Sequence, residues 1–235
     1  MVADSSLPKR NLAKRFACVV VGVASVLALV VLATAEMREV RVAWVPDGDT
    51  LILEDREVVR LKGIDAPEIG EGGEPDQYFA REATQRLEEL VRDRTLTLRT
   101  GQVEEDRYGR TLAKAYLPSG ESINLILVRE GLAFYYPHPD HGEGFSQELL
   151  RAQKRAMDDG RGFWPEILQL KPEVQAWIGN KNSKRFHHPG CGYGQKIAPG
   201  NREEFSSLRD MFYEGYAPCR RCTPWPPAEN EQGAE

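Results

Sequence analysis

Residues 16–35 form one uncharged run, FACVVVGVASVLALVVLATA, and past it the hydrophobic positions break into short groups of differing spacing. β-branched and apolar residues cluster at 40–45, 50–53 and 58–64, parted by Asp47-Gly48-Asp49 and by residues 54–57. This predicts three strands joined by tight turns. Phe79, Ala83, Leu87 and Leu90 then recur at helical spacing in a charged background, so residues 77–92 are expected to be an amphipathic helix. Two more strands are expected at 95–99 and 111–117. A helix carrying Ile123, Ile126 and Leu127 should close at Gly131, and another carrying Phe145, Leu149, Ala152 and Ala156 should end near Gly160. The expectation is a mainly β fold with helices, an OB-like five-stranded Greek-key barrel over residues 36–166.

The pattern changes after Trp164-Pro165. Residues 167–183 read as a linker with helical character, carrying Val174, Trp177 and Ile178. Residues 184–224 read as a small C-terminal module, and the polar, proline-led stretch 225–235 as a disordered tail. No internal repeat is visible.

Composition narrows the class. With 235 residues, 41% hydrophobic, 29% charged and 4 cysteines, the chain is neither collagen-like, fully disordered, multi-span nor disulfide-dense, and one to two domains are expected. The formal charge is −5. Setting aside Lys9, Arg10, Lys14, Arg15 and Asp4 leaves 27 positive and 35 negative groups, net −8. Such a body offers no broad positive field for nucleic acid, so any grip on phosphate must be local.

The basic start, the apolar run and Ala33-Thr34-Ala35 before Glu36 make an export signal. A run of this length also suffices to cross a bilayer. Two readings stay open: a cleaved signal peptide, or membrane anchorage through residues 16–35. In both, the remainder is exported to the periplasm or the outside, or held there facing outward.

Three clusters carry the candidate chemistry: Asp47-Gly48-Asp49-Thr50; Arg60 followed by Asp65-Ala66-Pro67-Glu68; and Asp106-Arg107-Tyr108-Gly109-Arg110. Any one alone is an ordinary turn. Together they bring carboxylates suited to a hard divalent cation, with Asp49 and Asp65 as Ca²⁺ ligands and Asp47 close by, and arginines whose forks match phosphate oxygens.

The run DGDT, RLKGIDAPE and DRYGR, followed by INLILVREGLA and a helix ending in GFWPE, resembles the staphylococcal nuclease (thermonuclease) family over residues 37–166. The resemblance implies Ca²⁺ bound by Asp49, Asp65 and the backbone carbonyl of Ala66, where family members often carry Thr. It implies Arg60 and Arg110 as the phosphate-gripping pair, and Glu68 as the base or water-positioning carboxylate. Tyr108 matches the family's motif tyrosine, to hydrogen-bond phosphate or stack on a base, or is a half-buried turn tyrosine. Tyr135 and Tyr136 fall where the family has aromatic nucleotide contacts, and the choice between them is open.

His187, Cys191, Cys219 and Cys222 form H-x3-C and C-x2-C pairs separated by 27 residues, a spacing suited to tetrahedral Zn²⁺. The module resembles the metal-binding domain of the Ada DNA-repair protein, with a Cys3His set in place of four cysteines, which would make it metal-stapled. A disulfide between Cys219 and Cys222 with Cys191 free is the competing reading, and His188 competes with His187. Cys18 is read as packing.

The function expected is an exported, calcium-dependent nuclease acting on DNA, RNA or both, as a monomer. The alternative is a non-catalytic nucleic-acid-binding module, or an envelope-tethered DNA receptor, on the same barrel.

Overall fold

The computed structural model describes residues 37–170 and 176–222, leaving aside the side chains of residues 102–104. The segment expected to direct export and the expected tail lie outside the described residues. Among those described, no helix is long and apolar enough to cross a membrane.

Strands β1 (Met37–Asp47), β2 (Thr50–Leu53) and β3 (Val58–Leu61) follow one another antiparallel, and β4 (Ile64–Asp65) is a short offshoot. Helix α1 (Ala80–Val91) comes next, then β5 (Thr95–Glu105) and β6 (Thr111–Tyr116). The five long strands close into a barrel in the order β1-β2-β3-β6-β5, with β3 and β6 parallel. β1 also pairs with β5, and two register shifts along its pairing with β2 bend it enough to serve both neighbours.

Alternation drives the closure. Leu51, Leu53, Val59, Leu61, Leu96 and Leu98 point inward and are fully buried, while Thr97 and Arg99 face out or part-way out. α1 lays Ala83, Leu87 and Leu90 against this interior. Helix α2 (Ile123–Arg129) adds Ile123 and Leu127 and a buried Asn124, whose amide accepts from Ala115 N–H (3.0 Å) and donates to the Lys62 carbonyl (2.9 Å). That side chain stitches β6 to the end of β3.

After β7 (Phe134–Tyr135), which pairs with β4, come α3 (Glu143–Asp158) and α4 (Trp164–Ile167). The stretch expected to be a helical linker contains a strand instead: β8 (Trp177–Asn180). It joins β9 (Arg185–His187), β10 (Arg202–Phe205) and β11 (Ala217–Pro218) in a sheet of order β10-β8-β9-β11. Helix α5 (Gly192–Gln195) lies between β9 and β10, and α6 (Leu208–Tyr213) precedes β11. Trp177 and Ile178 are buried because the strand is central in this sheet, paired on both sides.

Trp177, Phe186, Leu208, Met211 and Phe212 share one apolar core with Phe134, Ala156, Met157, Phe163 and Trp164 from the barrel side. Phe212 meets Phe134, Trp164 and Phe186 with ring centroids 4.8–6.0 Å apart. Fully buried Gln153 on α3 accepts from Tyr135 N–H (2.7 Å) and donates to the Phe212 carbonyl (2.9 Å), tying both parts through one amide.

Candidate active site and Cys/His centre

The turn between β1 and β2 sets the first carboxylates. Asp47 accepts from Asp49 N–H (3.0 Å), closing a local turn that aims Asp49 inward. Gly48 sits where a Cβ would lie 2.7 Å from Ala83 and 2.8 Å from Ala66, so only glycine lets this turn press onto α1. Asp49 is 1% exposed, and its carboxylate accepts from Ala66 N–H (2.7 Å) and the Thr50 hydroxyl (3.2 Å).

Arg60, on β3, is buried between the Asp49 and Asp65 carboxylates and ion-pairs with both. Burial lowers its pKa, and Asp65 is the strongest opposing influence. Two buried carboxylates thus converge on one cationic group, with the backbone of Ala66 alongside. The paired carboxylate oxygens of Asp49 and Asp65 are the donor chemistry of a hard divalent cation.

Glu68 stands at the exposed rim. Its N–H donates to the Gln77 side chain (2.9 Å) and its carbonyl accepts from Gln77 N–H (3.0 Å), so the loop that follows is pinched shut at its neck. The Glu68 carboxyl is pushed up from the usual carboxylate range, first by desolvation against the cleft wall. Arg60 opposes that shift, while Asp47 and Asp65 add to it.

The β5–β6 turn carries the third cluster. Asp106 accepts from Arg110 Nε (2.8 Å) and from the N–H groups of Tyr108 (2.8 Å) and Arg110 (3.1 Å), while Gly109 takes a left-handed φ of 76°. Desolvation would raise the Asp106 pKa, but these hydrogen bonds outweigh it and the net shift is downward. Arg110 is thereby held half-buried on the cleft wall. Tyr108 is 64% exposed, with Arg107 and Arg110 over its ring at 4.7 and 5.5 Å. It stands in solvent at the mouth of the site and is not the half-buried turn tyrosine that was one of the two expectations.

A cleft of about 430 Å³ is lined by Arg60, Tyr108, Arg110, Tyr136, His141 and Arg220. A second cleft, of about 810 Å³, includes Trp44, Asp47 and Glu68 and shares Tyr108, Arg110 and Arg220 with the first. Tyr136 is the cleft-facing member of its pair; Tyr135 is buried in β7. Arg220 did not figure among the sequence candidates, yet its Nη2 donates to Asp65 at 2.6 Å. The available signal was the basic pair inside Cys219-Arg220-Arg221-Cys222, within a module holding seven Lys/Arg against four Asp/Glu.

Donor atoms of His187, Cys191, Cys219 and Cys222 all lie within 4.8 Å of one another, the one such group among the described residues. All three thiols are free, so the Cys219–Cys222 disulfide does not form in this structure. His187 Nδ1 lies 3.5 Å from Cys191 Sγ. His188 is the neighbour that does not join; its Nδ1 instead accepts from Gly190 N–H (3.3 Å). A Cβ on Gly194 would lie 2.8 Å from that of His187, so glycine is needed for α5 to close over the ring. Burial lowers the His187 pKa and keeps the imidazole neutral. At Cys191 desolvation acts upward but is outweighed by backbone N–H groups of Gly194 and Tyr193 and by the other two thiols, so its pKa is lowered. A neutral imidazole with sulfur donors in a compact group is the donor chemistry of Zn²⁺.

Barrel and cleft together define an OB-type barrel with a cleft lined by arginines and carboxylates. The family model described as "Staphylococcal nuclease homologue" matches residues 58–166. The micrococcal nuclease of Shigella flexneri is 35% identical over 175 residues, covering 70% of this chain and 92% of that protein. The thermonuclease of Staphylococcus hyicus is 34% identical over 129 residues, covering 52% and 76% respectively. The chain also matches endonuclease YhcR of Bacillus subtilis at 28% identity over 195 residues, covering 73% of this chain but spanning 16% of that protein's length. The chain belongs to the staphylococcal nuclease family, a family of phosphodiester hydrolases.

Proposed function

We propose that this chain is a calcium-dependent nuclease that hydrolyses phosphodiester bonds of DNA, RNA or both. One observation carries the reading: Arg60 lies between Asp49 and Asp65 at the base of a cleft walled by Arg110 and rimmed by Glu68. Phosphodiester hydrolysis builds negative charge on the phosphoryl oxygens, so catalysis rests on fixed cations and a positioned water. Arg60 and Arg110 supply forked, non-titrating donors. Glu68, fixed at its backbone by Gln77, orients and deprotonates the attacking water. Asp49, Asp65 and the Ala66 carbonyl would hold Ca²⁺, which when bound neutralises developing charge on the phosphate. Tyr108 and Tyr136 offer ring faces to bases near the scissile bond.

Zn²⁺ at His187, Cys191, Cys219 and Cys222, as in an Ada-type metal-binding module, and export directed by residues 16–35 belong to the same proposal. The first is supported by the compact donor group and the second by the uncharged run after a basic start.

The test is cleavage of labelled DNA and RNA by the full chain with added Ca²⁺, with and without a chelator. Wild type should cleave only when Ca²⁺ is present. Glu68→Gln should lower turnover by about 10² to 10⁴ while nucleic-acid affinity stays near wild type. Binding without cleavage by wild type would instead establish the non-catalytic module.

A further inference from the structure

Arg220 lies outside the residues matched by the family model, and it reaches the site from a different part of the fold. Its guanidinium and that of Arg60 meet on the same oxygen, Asp65 Oδ1. It lines both clefts together with Tyr108 and Arg110. Its side chain is 41% exposed, whereas that of Asp65 is 7% exposed, so it forms the accessible layer over a buried carboxylate. Its hydrogen bond to Asp65 comes from Nη2, and a guanidinium carries five N–H donors in a fixed fork that matches phosphate oxygens.

The support of this arginine is equally specific. Arg220 sits inside the Cys219–Cys222 turn, closed by Cys222 N–H donating to the Cys219 carbonyl (3.1 Å). Cys219 N–H donates to the Phe186 carbonyl (2.9 Å), anchoring the turn to β9, and His188 N–H donates to Cys222 Sγ (3.4 Å). Tyr136 lies under the arm, with Arg220 5.3 Å and Arg185 3.5 Å from its ring centroid. Both ends of the turn are therefore members of the Cys/His centre, and the residue after its first cysteine enters the active cleft.

We propose that this turn delivers Arg220 as a third phosphate-binding arginine, and that a metal ion held by His187, Cys191, Cys219 and Cys222 keeps it in place. The ligand is a backbone phosphate of the nucleic-acid strand; this choice of ligand rests on the nuclease reading above. Arg220 touches substrate, and the Cys/His centre acts through it as a positioning device.

The experiment measures binding of a fluorescent single-stranded DNA oligonucleotide to the full chain without added Ca²⁺, across a salt series, beside cleavage with Ca²⁺. Arg220→Ala should weaken binding about 10- to 100-fold and flatten the slope of log affinity against log salt by about 0.7, the share of one phosphate contact. Arg220→Lys should keep the slope and recover part of the affinity. Cys219→Ser and Cys191→Ser, with metal loss checked by elemental analysis, should each reproduce the Arg220→Ala loss, and combining either with Arg220→Ala should add nothing further. A changed melting temperature with an unchanged salt slope in Arg220→Ala would make the arginine a structural clasp and overturn the proposal. Additive losses in the double variants would overturn the role of the metal centre. If wild type cleaves while Arg220→Ala binds normally, only this proposal falls. If wild type binds without cleaving and Arg220→Ala weakens that binding, only the nuclease reading falls.

Discussion

His141 shows how the cleft's electrostatics reach into stability. It is buried at the end of a 3-10 turn, Pro139–His141, and its Nδ1 has no hydrogen-bond partner among the described residues. Desolvation, joined by the positive charges of Lys62, His138, Lys114 and Arg185, pushes its pKa down to about 3. An unfolded histidine titrates near 6.5, so between those values the unfolded chain binds a proton that the folded chain refuses. The contribution is full above pH 6.5 and is lost as pH falls toward 3, at about 1.4 kcal/mol per pH unit. Urea midpoints at pH 7 and pH 5 should therefore differ clearly in wild type and much less in His141→Gln. An equal pH dependence in both would remove His141 as the cause. The candidate site as a whole was only partly legible in the sequence. Asp49, Arg60, Asp65 and Glu68 fall within 20 positions of one another, and local turns and strand pairing alone bring them together. His141 carried no such local mark.

Three helices end in the same way. After α2, Gly131 takes φ 69°, Leu132 N–H returns to the Leu127 carbonyl and Gly131 N–H to the Val128 carbonyl. α3 repeats this with Gly160 and Arg161, and α6 with Gly215 and Tyr216. Gly131 has a second constraint, since a Cβ there would lie 2.3 Å from the Arg161 carbonyl oxygen. Gly131→Ala should cost at least about 2 kcal/mol in urea unfolding, from a left-handed alanine plus a displaced backbone. Gly120→Ala, at φ 86° with nothing within 4 Å, should cost only about 1 kcal/mol. Equal costs would discount the backbone crossing. The stops at Gly131 and Gly160 were readable because each follows an amphipathic repeat. Strand β8 was not, because Val174, Trp177 and Ile178 also fit helical spacing and the deciding pairs, with β9 and β10, involve residues 5–28 positions away.

At the scale of the whole molecule, the barrel and the second sheet are joined by apolar packing. Phe212→Ala removes a fully buried ring that touches Phe134, Trp164 and Phe186, a change that typically costs 3–5 kcal/mol. Because the core is shared, hydrogen exchange should accelerate by similar factors in peptides from the end of α3, which carries Ala156 and Met157, and from β8. Acceleration confined to β8 would mean two independently folding parts. The barrel could be anticipated because its strands alternate and its turns are local. The fusion of the two parts could not, because Phe134, Trp164 and Phe212 look like separate core residues until α3 and α6 are packed.

The ion pair between Arg220 and Asp65 spans 155 residues of chain. Asp49, Arg60 and Asp65 lie within 17 residues of one another and are gathered by short loops, whereas closing a loop of 155 residues is entropically expensive and late. The docking that seats Arg220 also covers Phe134, Phe163 and Trp164. Concealment of the apolar face and completion of the cleft are thus one event, so a chain caught midway through folding is sticky and poorly equipped to hold a substrate at the same time.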